Sequence, residues 1–415
     1  MQNGLPWSER GYIYLGRYEV DYQGVVLTGT SGAGKTSVAW KLCQISEQFA
    51  LVPAVTTRKP RNDDRDGEYS HVSEDDFINL RQKGELLLEA KYRDDYYGIT
   101  IIAFQKVVSD NKVPLFVITP ESVEKLTNKQ HGKNHGEKLR FLTIFLDSAD
   151  DALDKRLIQR EQQTNVDVAE QRRKDRLHSK ACIYIVTNLE VDKTAELVLS
   201  LWEHRGTCGV LPKRLIHLMT ECRVLLENAT PGNITGAAYD LSLGDEYYYG
   251  GNTQYLTDRD QFITIEPYEY AIVTSREKLN LPKDMAGRFD IAVSLFCQGV
   301  IQSNGPQVDP GFRGGLFCLL FNTSNDVVHL KRGQHYATIE FNKLLEPTIG
   351  YEGRYQDKDK IMDYLPKKAS RSPISELKKD IRDLKSEKWW VKILPLVLSI
   401  VAIVATIIFA VLYLK

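Results

Sequence analysis

The sequence lacks most of the features that mark secreted, metal-binding or nucleic-acid-binding proteins. Its formal net charge is −1, so it has no basic excess of the kind that binds nucleic acid. Residues 1–16 lack the basic start and apolar run of a secretory signal. Its six cysteines are too widely spaced for a zinc site or disulfide framework: Cys43, Cys182, Cys208, Cys222, Cys297 and Cys318. We therefore expect reduced thiols, cytoplasmic soluble domains and no nucleic-acid partner.

The length of the chain and the pattern of residue types along it predict more than one domain. At 415 residues it is too long for one hydrophobic core, since single cores rarely exceed about 250–300 residues. Residues 20–205 alternate short apolar runs with charged helical stretches, the pattern of an α/β parallel sheet covered by helices. Residues 216–348 are richer in Gly, Tyr, Thr and short strand-like runs, which indicates an all-β body.

The C-terminus contains one long apolar run. Residues 393–414 carry no charged side chain and would form a helix about 33 Å long at about 1.5 Å per residue, enough to span a bilayer. Lysines are more numerous before the run than after it, which keeps the preceding domains on the cytoplasmic side. We predict a transmembrane helix at 391–414 and a protein held in the membrane by this single C-terminal anchor.

A helical stalk is predicted at 370–390. Ile374, Leu377, Ile381 and Leu384 repeat at 3,4,3 spacing, the seam of a heptad pattern. Two heptads fit either a short coiled coil or an ordinary amphipathic helix, and the sequence leaves both open.

A phosphate-binding loop lies near the start of the first domain. Residues 29–36 read GTSGAGKT and fit G-x-x-x-x-G-K-S/T in full, between a strand-like run and a helical stretch. In this motif backbone N–H groups wrap the phosphates, Lys35 reaches the β- and γ-phosphates, and the Thr36 hydroxyl ligates Mg²⁺. We therefore predict ATP and Mg²⁺ as cofactors, with ATP bound by Gly29, Ser31, Gly32, Gly34, Lys35, Thr36 and Ser37.

Further motifs in this domain resemble the guanylate kinase family. They are TTRKPR at 56–61, DGEY at 66–69, VSEDDF at 72–77 and YYG at 96–98. The resemblance implies that Arg58, Arg61, Tyr69 and Tyr97 hold the phosphate of a nucleoside monophosphate. It further implies that lid arginines neutralise the transferring phosphoryl group beside Lys35, namely Arg156, Arg160 and either Arg172 or Arg173. These arginines would otherwise form a solvated basic helix face.

The residues expected to read the base depart from the guanylate kinase pattern. The family's base-reading Glu falls on Leu88, with Glu89 one step away, and Val117 and Thr119 replace the two carboxylates at the end of a later strand. We therefore expect the phosphate-binding groups to be retained and the specificity for guanine to be altered. An altered monophosphate substrate and a fold kept only for nucleotide binding both remain possible.

The second domain resembles the dCTP deaminase and dUTPase family. The motifs are AYDLSLGDE at 238–246, IEPYEYAIVTS at 265–275, VDPGFRG at 308–314, LKRGQ at 330–334 and GRYQ at 353–356. The resemblance implies a distorted β-barrel that forms a homotrimer. It also implies a nucleotide pocket near Ser294, Asp309, Tyr355 and Gln356.

The deaminase chemistry is largely absent from these positions. Only Ser294 and Leu295 remain of the family's triphosphate-binding element, and the general-base Glu falls on Leu319, which cannot transfer a proton. Asp309 remains, with a structural role in its turn favoured over activation of water.

Three functional hypotheses follow. The first is an ATP- and Mg²⁺-dependent (deoxy)nucleoside monophosphate kinase whose β domain is a trimeric scaffold or nucleotide sensor. The second is a non-catalytic sensor of the (deoxy)nucleotide pool that signals through the membrane helix, as in antiviral defence. An active dCTP deaminase or dUTPase is the third and least favoured.

Overall fold

We analysed a computed structural model of the chain, which describes residues 22–61, 64–92, 94–128, 140–158, 166–302, 307–365 and 373–413. The predicted lid residue Arg160 and residues 1–16 lie outside the described residues, as does part of the predicted stalk.

The first domain alternates strands and helices, as the sequence predicts. Its strands are β1 (Val25–Gly29), β2 (Phe49–Leu51), β3 (Ala54–Thr56), β4 (Tyr69–His71), β5 (Leu86–Tyr92), β6 (Asp95–Thr100), β7 (Val113–Val117), β8 (Leu142–Asp147) and β9 (Tyr184–Thr187). Its helices are α1 (Lys35–Ile45), α2 (Glu74–Gln82), α3 (Ile101–Ser109), α4 (Pro120–Thr127), α5 (Asp150–Ile158), α6 (Val166–Leu177) and α7 (Val191–Glu203).

A parallel sheet with β1 at its centre organises this domain. The strand order is β2-β7-β1-β8-β9, and Val25 pairs in parallel with Leu115 on one side and Leu142 on the other. Every residue of β1 is buried, because helices cover both faces of such a sheet. A second sheet has the strand order β4-β3-β6-β5. The α/β prediction is confirmed.

The second domain is built almost entirely of strands. They are β10 (Gly209–Val210), β11 (Leu226–Glu227), β12 (Ala238–Tyr249), β13 (Asn252–Tyr255), β14 (Phe262–Ile265), β15 (Tyr270–Asn280), β16 (Met285–Ile291), β17 (Val300–Gln302), β18 (Gln307–Val308), β19 (Arg313–Asn322), β20 (Val328–Lys331) and β21 (His335–Lys343). Short helices interrupt them at α8 (Lys213–Glu221), α9 (Val293–Phe296) and α10 (Ile361–Tyr364).

Ten of these strands form a curled antiparallel sheet, and β14 and β20 form a separate two-stranded sheet. The path runs β17-β19-β15-β12-β21-β16-β18, and β10, β11 and β13 pair at its sides. Alternate residues of β21 are buried, as expected for a sheet with one face on a core. The register of β12 shifts between Leu243 and Tyr247 against β15, a bulge of the kind that bends strands in curled sheets. The all-β prediction is confirmed.

The two domains share a buried interface, which we call the joint. One hydrophobic core runs from β1 through α7 and α8 into β12 and β21. Within the joint, the Tyr184 hydroxyl of the first domain donates to Asp284 Oδ2 of the second at 2.5 Å. Lys343 Nζ lies 3.8 Å from the same carboxylate and donates to the His204 carbonyl at 3.0 Å. Burial raises the pKa of Asp284 and lowers that of Lys343.

The chain leaves the second domain through residues 351–365, which we call the strap. The Asp357 N–H donates to the Arg313 carbonyl at 2.8 Å, and Gly315 N–H donates to the Lys358 carbonyl at 2.8 Å, so the strap lies along β19. The Tyr355 and Tyr364 rings stack at 4.6 Å between centroids. The strap is therefore part of the folded β domain.

The C-terminal helix, α11 (Pro373–Tyr413), is continuous. Its stretch Ile393–Ala410 has a mean hydropathy of 2.9 and no burial against the rest of the protein, and it is long and apolar enough to span a membrane. Leu377, Ile381 and Leu384 are exposed on the earlier part of the helix. The helix therefore runs through most of the range predicted for the stalk, and the stalk and its oligomeric form stay predictions.

Candidate nucleotide-binding site

The phosphate-binding loop connects β1 to α1 at the carboxyl end of the parallel sheet. Gly29 has a φ of 142° and Gly34 a φ of 85°, values that glycine tolerates best. A Cβ on Gly29 would lie 1.9 Å from the Leu146 carbonyl oxygen, and one on Gly34 would lie 2.6 Å from Asn188 Nδ2. Asn188 donates to the Ala33 carbonyl at 2.7 Å, which fixes the far side of the loop.

The two side chains that define the motif are held by short contacts. Lys35 Nζ donates to the carbonyls of Gly29 and Thr30, each at 2.9 Å. The Thr36 hydroxyl donates to Glu68 Oε1 at 2.9 Å. Burial raises the pKa of the Glu68 carboxyl, against hydrogen bonds from Thr36 and the Arg65 backbone that lower it. A carboxylate therefore stands beside the hydroxyl predicted to ligate Mg²⁺.

Sequence reasoning assigned no role to Glu68, although it lies in one of the quoted motifs. Its partner Thr36 is 32 residues earlier and lies on α1, whereas Glu68 directly precedes β4, so only the folded domain brings the two side chains together. The DGEY motif marks Glu68 in the sequence, but it does not predict the contact with Thr36.

The residues predicted to hold a monophosphate lie on the second sheet (Tyr69 and Tyr97) or in the loop after its strand β3 (Arg58 and Arg61). The Arg58 guanidinium lies 5.0 Å from the centre of the Tyr69 ring, and the Tyr69 and Tyr97 ring centroids are 6.4 Å apart. Asp64 accepts from Arg58 Nη2 at 2.7 Å, while the exposed Arg61 lines the cavity with Tyr69 and Tyr97. Burial, with a smaller contribution from Glu68, raises the pKa of Tyr69, so its hydroxyl stays protonated and can donate.

Arg156, one of the predicted lid arginines, lies against the phosphate-binding loop. Its guanidinium donates to Ser148 Oγ at 3.2 Å and to the Asn188 carbonyl at 2.9 Å, and reaches the Gly32 carbonyl at 3.5 Å.

Arg172 is buried and pairs with Asp154 at 2.7 Å. Its Nε and Nη2 atoms have no hydrogen-bond partner within the described ranges. Arg173 is exposed. Arg176, which was not predicted, donates to Asp147 at 2.8 Å and to Asp150 at 2.7 Å.

A cavity of about 260 Å³ joins the loop to the second sheet. Gly29, Ser31, Gly32 and Lys35 line one end, and Arg61, Tyr69 and Tyr97 line the side. Gly34 and Ser37 are half-buried where α1 begins. Aliphatic side chains form much of the remaining wall: Ala54, Leu88, Ala90, Ile99, Val117 and Ile118.

The predicted pocket residues of the β domain are only partly brought together. Gln356 Nε2 donates to the Gly311 carbonyl at 3.0 Å, and its Oε1 accepts from the Arg313 N–H at 3.1 Å, so the strap holds the turn that contains Asp309. Asp309 is exposed, and its carbonyl accepts from the Phe312 N–H at 3.2 Å.

Tyr355 follows the same strap and is half-buried. Ser294 is exposed on α9, where Val293 and Phe296 are also exposed. Leu319 pairs with Ile272 in the middle of the sheet. Across the described part of the chain, no group of three or more His, Cys, Asp or Glu side chains could hold a metal ion.

The fold and this loop define a P-loop nucleotide-binding domain attached to a curled β domain. Two family models match the chain: Guanylate kinase over residues 21–205 and dCTP deaminase-like over residues 211–344. The dCTP deaminase of Thermococcus kodakarensis is 37% identical over 134 residues, which are 32% of this chain and 85% of that protein. The guanylate kinase of Helicobacter pylori strain 26695 is 28% identical over 187 residues, 44% of this chain and 86% of that protein.

A crystal structure of guanylate kinase from Anaplasma phagocytophilum is 22% identical, with a TM-score of 0.34, and covers 44% of this chain and 87% of that one. The chain is a fusion of a domain that matches the guanylate kinase family model with a dCTP deaminase-like domain, and through residues 211–344 it belongs to the dCTP deaminase-like family.

Proposed function

We propose that the first domain is a (deoxy)nucleoside monophosphate kinase that uses ATP and Mg²⁺. The observation that carries the proposal is the shared cavity, which places Lys35 of the phosphate-binding loop on the same space as Arg61, Tyr69 and Tyr97. A donor phosphate at the loop and an acceptor phosphate at the second sheet would therefore face each other. Phosphoryl transfer depends on this positioning, since the protein contributes mainly alignment and charge.

The residues present fit MgATP. The loop glycines leave space that a Cβ would fill, and the start of α1 places partial positive charge behind the loop. Thr36 would contribute its hydroxyl to Mg²⁺, with Glu68 as a nearby anion. Lys35 would exchange its contacts with the Gly29 and Thr30 carbonyls for phosphate oxygens.

The reaction balances as a single transfer. An oxygen of the acceptor phosphate bonds to the γ-phosphorus of ATP, the bond from that phosphorus to the bridging oxygen breaks, and ADP leaves with that oxygen. Arg58 and Arg61 would hold the acceptor phosphate, with Tyr69 and Tyr97 donating to it. Arg156, Arg160 and Arg172 would neutralise the transferring group.

We assign the β domain a scaffold role. Leu319 offers no proton-transferring group at the family's general-base position, and Asp309 serves the turn that Gln356 holds. A nucleotide pocket that includes Ser294, Asp309, Tyr355 and Gln356 and a homotrimer are further parts of this proposal. The apolar part of α11 would anchor the protein in a membrane, with both domains on the cytoplasmic side.

The test uses the full-length protein in detergent micelles. It is incubated with MgATP and each common ribo- and deoxynucleoside monophosphate, and the products are separated by chromatography. Lys35→Ala should abolish any diphosphate product. Lys41→Ala on the same helix, where Lys41 pairs with the exposed Asp192, is the matched control and should leave turnover unchanged. Absence of product from every acceptor would reject the kinase.

A second candidate, a nucleotide sensor, is favoured by the strap. Gln356 connects the strap to the Asp309–Gly314 turn, and the strap precedes the membrane-length helix in the chain. Nucleotide binding near this turn would therefore change the conformation of the strap, which leads to the membrane-length helix. Hydrogen exchange of residues 351–365 with and without nucleotides tests this idea. Unchanged protection with every nucleotide would reject it.

A further inference from the structure

The wall of the cavity away from the phosphate-binding loop is a row of aliphatic side chains. Ile99 pairs with Ala54 on one neighbouring strand and with Leu88 on the other, so the three residues stand side by side across β3, β6 and β5. All three are less than 9% exposed and line the cavity. Val117 and Ile118 line it from the end of β7. This space therefore offers an apolar surface to whatever is joined to the acceptor phosphate.

Among the residues that the structure describes, two carboxylates line the cavity, and neither belongs to this aliphatic row. Asp95 begins β6 opposite Tyr92, at the hairpin end of the sheet. Asp175 lies on α6, accepts from Gln171 at 2.9 Å and interacts electrostatically with Lys35, which places it toward the phosphate-binding loop.

Besides the tyrosines Tyr69, Tyr92 and Tyr97, two smaller hydroxyl side chains line the cavity after the end of β7. Thr119 follows Ile118 directly, and its Oγ1 lies 2.7 Å from Ser122 Oγ. Ser122 is buried and lines the cavity with Thr119. Each hydroxyl can donate one hydrogen bond and accept others. The aliphatic part of the cavity therefore combines a methyl-lined surface with one pair of adaptable hydroxyls.

The common bases differ in the hydrogen-bond donors, acceptors and apolar groups that such a cavity would have to match. Guanine presents an N–H and an NH₂ that need acceptors, and adenine and cytosine each present an NH₂. A buried donor without an acceptor lowers affinity by about 5- to 150-fold. Thymine presents two carbonyl acceptors, one N–H and a methyl group, which match one hydroxyl pair and an aliphatic wall.

We infer that the aliphatic part of the cavity binds the base of a 5-methylated pyrimidine nucleoside monophosphate, the class of thymidine monophosphate. The inference deepens the proposed kinase function and rests on it for placing the acceptor phosphate near Arg61 and Tyr69. Leu88 and Ile99 are the residues that determine specificity: they receive the 5-methyl group and exclude bases with unpaired donors.

The first experiment needs no substitution. Binding to the full-length protein in detergent micelles is measured by calorimetry for dTMP, dUMP, 5-bromo-dUMP, dCMP, dAMP, dGMP and GMP. A methyl group in an apolar pocket is worth about 10- to 200-fold in discrimination. We expect dTMP to bind at least about 10-fold more tightly than dUMP, with 5-bromo-dUMP close to dTMP because bromine and methyl are similar in size. The purine nucleotides should bind more weakly than dTMP.

A substitution then tests the position itself. Leu88→Glu places a hydrogen-bond acceptor in the row. It should weaken the binding of dTMP by about 10-fold or more and strengthen the binding of GMP or dGMP. Lys91→Glu is the matched control, since Lys91 is exposed on the same strand, and it should leave the order of ligands unchanged. Thermal unfolding checks that both variants fold, and the ligand series on the unsubstituted protein decides the question if Leu88→Glu does not.

The outcomes separate this inference from the kinase proposal. If GMP or dGMP binds as tightly as dTMP, or dUMP as tightly as dTMP, the inference is overturned even if a diphosphate forms. If dTMP binds preferentially but no diphosphate appears, the specificity stands and the kinase is rejected. If no monophosphate binds, both are rejected.

Discussion

Replacing Asp284 with alanine should weaken the joint between the two domains. The Asp284 carboxylate is 4% exposed and accepts from the Tyr184 hydroxyl at 2.5 Å, with Lys343 Nζ at 3.8 Å. Its removal leaves a buried ammonium group without its counter-ion and a buried hydroxyl without its acceptor. Breaking a buried ion pair in this way costs about 3–5 kcal/mol.

The assay is a urea titration of the full-length protein in detergent micelles, followed by tryptophan fluorescence. Trp202 is 4% exposed within the shared core, so its emission reports on this region. Asp284→Asn should destabilise by less than Asp284→Ala, because the amide oxygen can still accept from Tyr184. Asp258→Ala is the control, since Asp258 is an exposed partner of Arg332 and should cost no more than about 1 kcal/mol.

If Asp284→Ala lowered the free energy of unfolding by no more than Asp258→Ala does, the Asp284 carboxylate would have no stabilising role in the joint. A double-mutant cycle with Tyr184→Phe adds a second check. Groups that share a hydrogen bond should show a coupling energy of about 0.5–3 kcal/mol, and a coupling near zero would show that the 2.5 Å contact contributes nothing to the joint.

Three further predictions concern the site and the joint. Gly34→Ala should destabilise by about 1–2 kcal/mol and weaken MgATP binding, since its Cβ would displace Asn188; thermal unfolding with and without MgATP measures both, and an unchanged ligand-induced shift would contradict it. Glu68→Gln keeps an acceptor for Thr36 but removes the charge, so the Mg²⁺ concentration for half-maximal ATP binding should rise about 10-fold, as a Mg²⁺ titration would show; an unchanged midpoint would argue against a role near the metal. Because burial raises the pKa of Asp284, the folded state keeps a proton that the unfolded chain loses near about pH 3.9. The free energy of unfolding should therefore fall as pH rises from about 4 toward the raised pKa, and urea titrations across pH should show that Asp284→Asn removes this slope.

Features that depend on consecutive residues were predictable from the sequence. The phosphate-binding loop between a strand and a helix follows from residues 29–36, and the alternating texture of 20–205 gave the α/β domain correctly. The apolar run at 393–410 is helical because no charge or glycine interrupts it, and Pro395 is accommodated within the helix.

Contacts between distant residues could not be predicted in the same way. The row of Ala54, Leu88 and Ile99 depends on the register of three strands, and single-sequence patterns carry little information on register. The sequence indicated lid arginines, but only the fold shows that Arg172 is buried beside Asp154 whereas Arg176 pairs with Asp147. Roles for these residues stay predictions.

The strand pairing also sets an order of folding on the ribosome. The parallel sheet of the first domain is complete once β9 has emerged, at Thr187, so this domain can fold while the rest is being made. The second domain must wait longer, because its earliest strand, Gly209–Val210, pairs with Asn342 and Lys343. The nascent kinase-like domain therefore exposes the surface around Tyr184 until Asp284 arrives, a period in which a chaperone could bind it.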